Sequence, residues 1–185
     1  MREAAYTFNP LSPIKVDTPV VVNFWIDPQE APGKLAAELA EHLRKYAPPS
    51  EMRVESGKTR WSTTMKAVLS ADSEVLDIFP RENDEKLIKP VSSKDRTEWS
   101  WSIRAKTTGK QIPVKLTLYA ILPKDFGMPP KEVKVLERYI NVDITCGWAI
   151  DHYWEKLRWF LGGIGGFLSG IFLWWLKKRY PSGNQ

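Results

Sequence analysis

The residues that could support catalysis or metal binding are few in this sequence. Cysteine occurs once, at Cys146, and histidine occurs twice, at His42 and His152. Cys146 and His152 could form a thiolate–imidazole nucleophile pair, but nothing nearby supplies an orienting partner or an oxyanion site. A zinc site needs three or four nitrogen or sulfur ligands, which three such residues in the whole chain hardly provide. We therefore expect no catalytic residue, no metal and no cofactor.

Two further patterns resemble chemical motifs. The string ESGKT (55–59) is similar to the end of a phosphate-binding loop, but that motif requires a glycine at position 52, which is Met. The residues that follow the lysine also read as extended rather than helical. Asp72, Glu74 and Asp77 cluster near the start of a predicted strand, where we expect a solvated turn rather than an acid–base pair. The sequence therefore favours a protein that is not an enzyme.

The positive charge of the chain is concentrated near its C-terminus. Of the net charge of +5, residues 1–156 carry +1 and the last 29 residues carry +4. Nucleic-acid binding needs a concentrated basic face, so we expect no nucleic-acid partner. A single cysteine excludes an internal disulfide, and residues 1–16 contain no apolar signal-peptide core. These features predict a domain that is made and kept in the cytosol.

The segment 159–176 is predicted to be a single transmembrane helix. Its 18 residues carry no charge and include Ser169 as the one polar side chain. With the two preceding residues it would be about 30 Å long at ~1.5 Å per residue, which matches the hydrocarbon core of a bilayer. The alternative is a buried core helix of a soluble protein. Such a helix needs protein around it, and we expect the short tail 177–185 to provide none. The predicted membrane-interface residues are Trp154, Trp159, Trp174, Trp175, Lys177, Lys178 and Arg179.

Small residues share one side of this predicted helix. At about 100° per residue, the small and large side chains of 161–172 separate into two faces. The small face resembles a glycine zipper and lets two helix backbones approach closely. It favours self-association or packing on another membrane helix over a plain anchor. The predicted helix-packing residues are Gly162, Gly163, Gly165, Gly166, Ser169 and Gly170.

The orientation of the span is predicted from the two segments that flank it. Cations lie on both sides, and the tail 177–185 would slightly favour a cytoplasmic C-terminus. That orientation would carry the whole preceding domain across the membrane without a signal sequence. We therefore expect a tail-anchored protein whose domain lies on the cytoplasmic side, joined to the bilayer by the connector 146–158.

The domain 1–145 is predicted to be mainly β, with six or seven strands and one helix near 31–46. Apolar, β-branched or alternating runs predict strands at 18–28, 62–71, 73–80 and 131–144. The polar run 80–96 is predicted to be a mobile loop. The expected fold is a small β-sandwich, or a twisted antiparallel sheet, with the helix packed on it.

The clearest strand pattern is TEWSWSIRAK (97–106). Trp99, Trp101 and Ile103 should face the core, while the residues between them face solvent. A second alternating run, 112–120, follows a turn at Thr108-Gly109. The two runs are predicted to pair as a β-hairpin.

This region also resembles a known sequence pattern. WSWSIRAKTTGKQIPVKLTLYAIL is similar to a W-x-W, glycine-turn and alternating-strand pattern in β-rich segments of bacterial signalling and anti-phage conflict proteins. Those segments often lie beside membrane spans or are fused to effector or NTPase domains. The match rests on Trp99, Trp101, Ile103, Gly109, Val114 and Leu116. The resemblance implies a bacterial membrane accessory or effector protein.

Two functions remain open at this point. The first is a membrane-anchored binding or regulatory module, whose β domain recognises a cytosolic protein partner and whose glycine-faced helix packs in the bilayer. The alternative is a membrane effector that assembles through the glycine face and permeabilises the bilayer.

Overall fold

A computed structural model describes residues 2–10, 12–45, 53–122, 129–145, 153–154 and 158. The chain divides into two units, Met1–Ile144 and Thr145–Gln185. The elements described below belong to the first unit.

Ten strands and one α-helix follow one another in these described residues. They are β1 (Arg2–Phe8), β2 (Ile14–Lys15), β3 (Val20–Asp27), α1 (Pro32–Leu43), β4 (Glu55–Trp61), β5 (Thr64–Ala71), β6 (Leu76–Phe79), β7 (Ile88–Pro90), β8 (Thr97–Ala105), β9 (Gly109–Ala120) and β10 (Lys131–Asp143). A short 3-10 helix, Glu85–Leu87, precedes β7.

The strands form two five-stranded sheets. Sheet A has the order β4-β1-β3-β8-β6, and sheet B has the order β2-β10-β9-β5-β7. Neighbouring strands are antiparallel except for β2 and β10, which are parallel. The side chains of both sheets meet in one apolar core, so the predicted fold class, mainly β with one packed helix, is confirmed.

Aromatic side chains on neighbouring strands of sheet A fill much of the core. The rings of Tyr6 and Phe24 stack with centroids 5.9 Å apart, and those of Phe24 and Trp99 lie 5.8 Å apart. The Trp99 indole N–H donates to the Leu87 carbonyl oxygen at 2.8 Å. Because Leu87 precedes β7 at the edge of sheet B, this bond ties the two sheets together on one side.

Charged and aromatic side chains close the opposite side, where β4 of sheet A meets β10 of sheet B. Arg138 Nε donates to both carboxylate oxygens of Glu55, at 2.6 and 2.7 Å. Lys134 Nζ donates to the Lys58 carbonyl oxygen at 3.0 Å and lies 4.7 Å from the centroid of the Tyr6 ring. Inward-pointing charges on an edge strand also discourage pairing with other chains.

Helix α1 covers part of the outer face of sheet A. Its leucines Leu35, Leu39 and Leu43 are buried, and they pack against Ala5 of β1 and Trp25 of β3. The i, i+4, i+8 spacing of the leucines places them on one helix face, which explains why this segment lies flat on the sheet.

The predicted hairpin between β8 and β9 is wrong. β8 pairs with β3 and β6 in sheet A, whereas β9 pairs with β5 and β10 in sheet B. The intervening turn carries the chain from one sheet to the other. Alternation of apolar and polar residues shows which side of a strand is buried, but it does not identify the strand's neighbour.

The segment 80–96, predicted to be a mobile loop, is partly regular in structure. It contains the 3-10 helix and β7, and the side chains of Leu87 and Val91 are buried. Two apolar residues in a polar run were enough to hold the segment against the core. The sequence also missed β1, β2 and β4, whose patterns are short or interrupted by small and charged residues.

Among the described residues, none belongs to a helix long and apolar enough to cross a membrane. The predicted span 159–176, its helix-packing residues and the tail 177–185 lie outside the described residues. Of the predicted interface residues, Trp154 is described, and its side chain is 53% exposed.

We predict that Trp101→Ala lowers the free energy of unfolding by ~3–5 kcal/mol. Trp101 is fully buried on the core side of β8, so the substitution removes a large apolar side chain from a packed interior. Urea unfolding followed by circular dichroism measures the change. Ser102→Ala, on the solvent side of the same strand, is the control and should change stability by less than ~0.5 kcal/mol. Equal effects of the two substitutions would contradict this packing.

Candidate binding surface

The interior of the sandwich offers little room for a ligand. A cavity between the sheets, lined by side chains that include Phe8, Val22, Ile103 and Arg138, has a volume of about 10 Å³. That is about the space of one water molecule, whereas small-molecule pockets are typically ~300–1,000 Å³. The surface of the sandwich, rather than this cavity, is therefore the candidate binding region.

The structure gives ordinary structural roles to several residues that resembled chemical motifs. ESGKT (55–59) lies in β4, where Gly57 pairs with Tyr6 of β1. A Cβ atom at Gly57 would come within 2.9 Å of the Tyr6 ring, so glycine here makes room for an aromatic side chain. The Asp72 carboxylate accepts from the Glu74 backbone N–H at 2.9 Å, which confirms the predicted turn.

Of the remaining candidate ligands, the structure describes His42. Cys146 and His152 lie outside the described residues. The His42 ring contacts the Trp25 ring edge to face, with centroids 5.5 Å apart. In the part of the chain that the structure describes, no three His, Cys, Asp or Glu residues lie close enough together to hold a metal ion.

The outer face of sheet A is divided into a covered half and an uncovered half. Helix α1 lies over β4 and β1 and reaches the Trp25 side chain of β3. Arg96 marks the border, because its guanidinium stacks on the Trp25 ring at 3.9 Å from the centroid. Beyond this border, the exposed side chains come from β8, from β6 and from Val21 of β3.

We call this uncovered region the open face and define it by Val21, Phe79, Ser100 and Ser102. Ser102 pairs with Val21 of β3 on one side and with Phe79 of β6 on the other. Val21 is 52% exposed and Phe79 is 50% exposed. Ser102 thus lies between two exposed apolar side chains, which forms a shallow, partly apolar trough, and Ser100 continues it along β8 beside Asn23.

One end of the open face carries charges of both signs. Glu98 of β8 and Glu38 of α1 share the single guanidinium of Arg96, at 2.7 Å from Nε and 3.0 Å from Nη1 respectively. The Lys89 ammonium donates to the Glu98 carbonyl oxygen at 2.6 Å, beside the strand.

The other end has an excess of cation. Arg104 of β8 and Lys106 share the carboxylate of Asp77, which lies 3.8 Å from Arg104 Nη2 and 2.8 Å from Lys106 Nζ. The Arg81 guanidinium adds a further positive charge 5.7 Å from the Phe79 ring centroid. The open face therefore combines exposed apolar side chains beside Ser102 with an excess of cation at one end.

The hydrogen bond from Lys106, followed by the charges of Lys106, Arg104 and Arg81, lowers the pKa of the Asp77 carboxyl below its ordinary value of 3.8. The charged form of Asp77 is therefore favoured in the folded protein.

The sequence predicts the buried side of β8 correctly, but it gives little indication of the open face on the other side of the strand. Trp99, Trp101 and Ile103 are buried on the core side of β8, as their alternation with polar residues indicates. Val21 and Phe79 were not singled out, because their juxtaposition depends on which strands neighbour β8. The local sequence indicates the open face only through Ser100 and Ser102, whose side chains are small and carry hydroxyl groups.

No family model matches the chain, and no curated protein matches it significantly.

We predict that Asp77→Asn lowers the thermal midpoint at pH 6 and has no effect near pH 2. A carboxyl whose folded pKa is lowered stabilises the protein above its ordinary pKa of 3.8. That stabilisation is lost as the pH falls through the lower folded pKa. Thermal melts at both pH values measure the difference between wild type and variant.

Salt provides the control for this prediction. The groups are exposed, so the difference at pH 6 should shrink in 1 M salt, where the Debye length is about 3 Å. A difference between wild type and variant that persists unchanged near pH 2 would contradict the proposed charge interaction.

Proposed function

We propose that this protein is a membrane-anchored binding module. Its β-sandwich presents the open face to a protein partner on the cytoplasmic side, and the apolar segment 159–176 holds it at the bilayer. The observation that carries the proposal is the open face: exposed Val21 and Phe79 flank the small Ser102 in one row of paired residues.

Several features support a binding role for the open face. Exposed apolar side chains that lie together on a folded domain are typical of interaction sites. The excess of cation at one end would orient a partner, because electrostatic complementarity sets register and discriminates against wrong partners. The rigid sheet beneath the open face holds these groups without a large entropic cost on binding.

The sequence supports the membrane part of this proposal. The 18 uncharged residues of 159–176 match the length of a single span, and aromatic residues and cations flank them. The glycine zipper Gly162-x3-Gly166-x3-Gly170 would let this helix pack on a second copy or on another membrane helix.

The glycine zipper also favours a second candidate function, a membrane effector that assembles through its glycine face and permeabilises the bilayer. The span has no polar face apart from Ser169 and its glycines, which argues against a simple water-filled pore. We therefore rank the binding module first.

We predict that the full-length chain resists alkaline extraction from membranes and does not release dye from lipid vesicles. Gly166→Leu should stay inserted and should lose in-membrane cross-linked oligomers, since a large side chain prevents close backbone approach. A variant whose residues 159–176 are replaced by an unrelated leucine-rich span is the matched control for anchoring alone.

The outcomes separate the two functions. Dye leakage by the wild-type chain that disappears together with the oligomers in Gly166→Leu would contradict the binding module and establish the effector. Release of the wild-type chain into the alkaline supernatant would contradict both.

A further inference from the structure

We propose that the open face binds a short acidic segment of the partner protein, which places one apolar side chain over Ser102 and a carboxylate on Arg104. This inference rests on the proposed binding function and specifies the chemistry of the partner. The arrangement of the strands, the exposed apolar side chains and the free hydrogen-bond donors of Arg104 support it.

Three strands lie side by side under only a short part of the open face. β6 pairs with β8 at four positions, the last of which joins Phe79 to Ser102. Val21 of β3 pairs with Ser102 from the other side. Two residues further along β8, Arg104 pairs with Asp77 of β6. Four strand residues measure roughly 13 Å at ~3.3 Å per residue, which suits a few residues of a partner rather than a long element.

The small side chain of Ser102 leaves room for one apolar side chain of a partner. Val21 and Phe79 lie on either side of it and are about half-exposed. Both would contact the incoming side chain, and burying their exposed surface would favour binding.

Arg104 can bind an anion at the next position along the strand. Its Nη2 atom lies 3.8 Å from the Asp77 carboxylate, too far for a hydrogen bond, whereas Lys106 Nζ lies 2.8 Å from that carboxylate. In the part of the chain that the structure describes, the Arg104 side chain donates no hydrogen bond. It is 55% exposed, and the Asp77 side chain is 24% exposed. Its guanidinium is therefore accessible to a carboxylate, which can accept two parallel hydrogen bonds from it.

The surrounding charges also favour an anion. The Arg81 guanidinium lies 5.7 Å from the Phe79 ring centroid, on the same side of the trough. The charges that act on the Asp77 carboxyl are those of Lys106, Arg104 and Arg81, and they lower its pKa. Among the described residues, the acidic side chains of the preceding turn, at 72 and 74, form no ion pair with these cations.

The spacing of the two contacts suits an extended segment. Ser102 and Arg104 are two strand residues apart, or roughly 6.6 Å at ~3.3 Å per residue. Side chains i and i+2 of an extended segment lie on one side at the same spacing. We therefore expect the partner to carry an apolar residue and an Asp or Glu two positions apart.

An anionic bilayer surface fits the open face less well. Glu98 and Glu38 lie at its other end, so phosphate groups would meet carboxylates there. The trough beside Ser102 also suits a single side chain, which a layer of headgroups does not supply.

The test is a selection of random linear peptides on the full-length chain in nanodiscs of neutral lipid. We expect enriched peptides with an apolar residue and an acidic residue two positions away. Their binding should weaken about tenfold or more with Arg104→Glu, which replaces attraction by repulsion, and with Ser102→Gln, which fills the trough without adding charge. Lys115→Glu, at an exposed position of sheet B, changes the net charge equally and should leave binding unchanged.

Charge reversal makes the test specific. Selection on Arg104→Glu should enrich Lys or Arg where the wild-type chain enriches Asp or Glu, and it should keep the apolar residue. Arg104→Gln, which removes the charge, is a second variant should Arg104→Glu fail to fold, as judged by circular dichroism.

Three results would overturn the inference: no enrichment, enriched peptides without an acidic residue at the expected spacing, or binding that Arg104→Glu does not weaken. A photoreactive residue at position 102 of the full-length chain in native membranes separates these failures from failure of the binding function. A discrete adduct with another protein would leave the binding function standing. Adducts with lipid alone, or no adduct, would refute both, and an adduct between two copies of the chain would overturn the inference.

Discussion

The burial of alternate β8 side chains between the two sheets is the constraint on which the structure depends. Trp99 contacts Phe24 within sheet A and donates its indole N–H to the Leu87 carbonyl at the edge of sheet B. A strand has two faces, so fixing the tryptophans inside also fixes Ser100 and Ser102 outside. The core and the open face are therefore two sides of the same strand, and the orientation of the binding surface follows from the packing of the core.

The remaining contacts close the sandwich and divide its outer surface. The Arg138–Glu55 ion pair joins β10 to β4 on the side opposite Leu87. Helix α1 covers half of the outer face of sheet A, and Arg96 stacks on Trp25 at the limit of that cover. Isolated exposed ion pairs contribute little to stability, and the proposed binding function assigns the charges on the uncovered half a role in orienting a partner.

The sequence predicted the features that depend on local periodicity and missed those that depend on long-range pairing. The leucine spacing of α1 and the alternation in β8 identified a helix and a core face, because each is set within one element. The neighbours of β8 were predicted wrongly, since either sheet of a sandwich can receive the same alternating strand. Val21 and Phe79 lie 58 residues apart and meet across Ser102 only through strand order, which no local pattern encodes.

Site-specific photo-cross-linking at position 102 of the full-length chain in native membranes tests the central claim most directly. We predict that a photoreactive residue at Ser102 forms a discrete adduct with another protein, and that Phe79→Glu removes this adduct because it places a charge in the trough. The same residue at Tyr139, on the exposed face of sheet B, should give no such adduct. Equal cross-linking at both positions, or an adduct at Ser102 that Phe79→Glu leaves unchanged, would contradict the assignment of the open face as the binding surface.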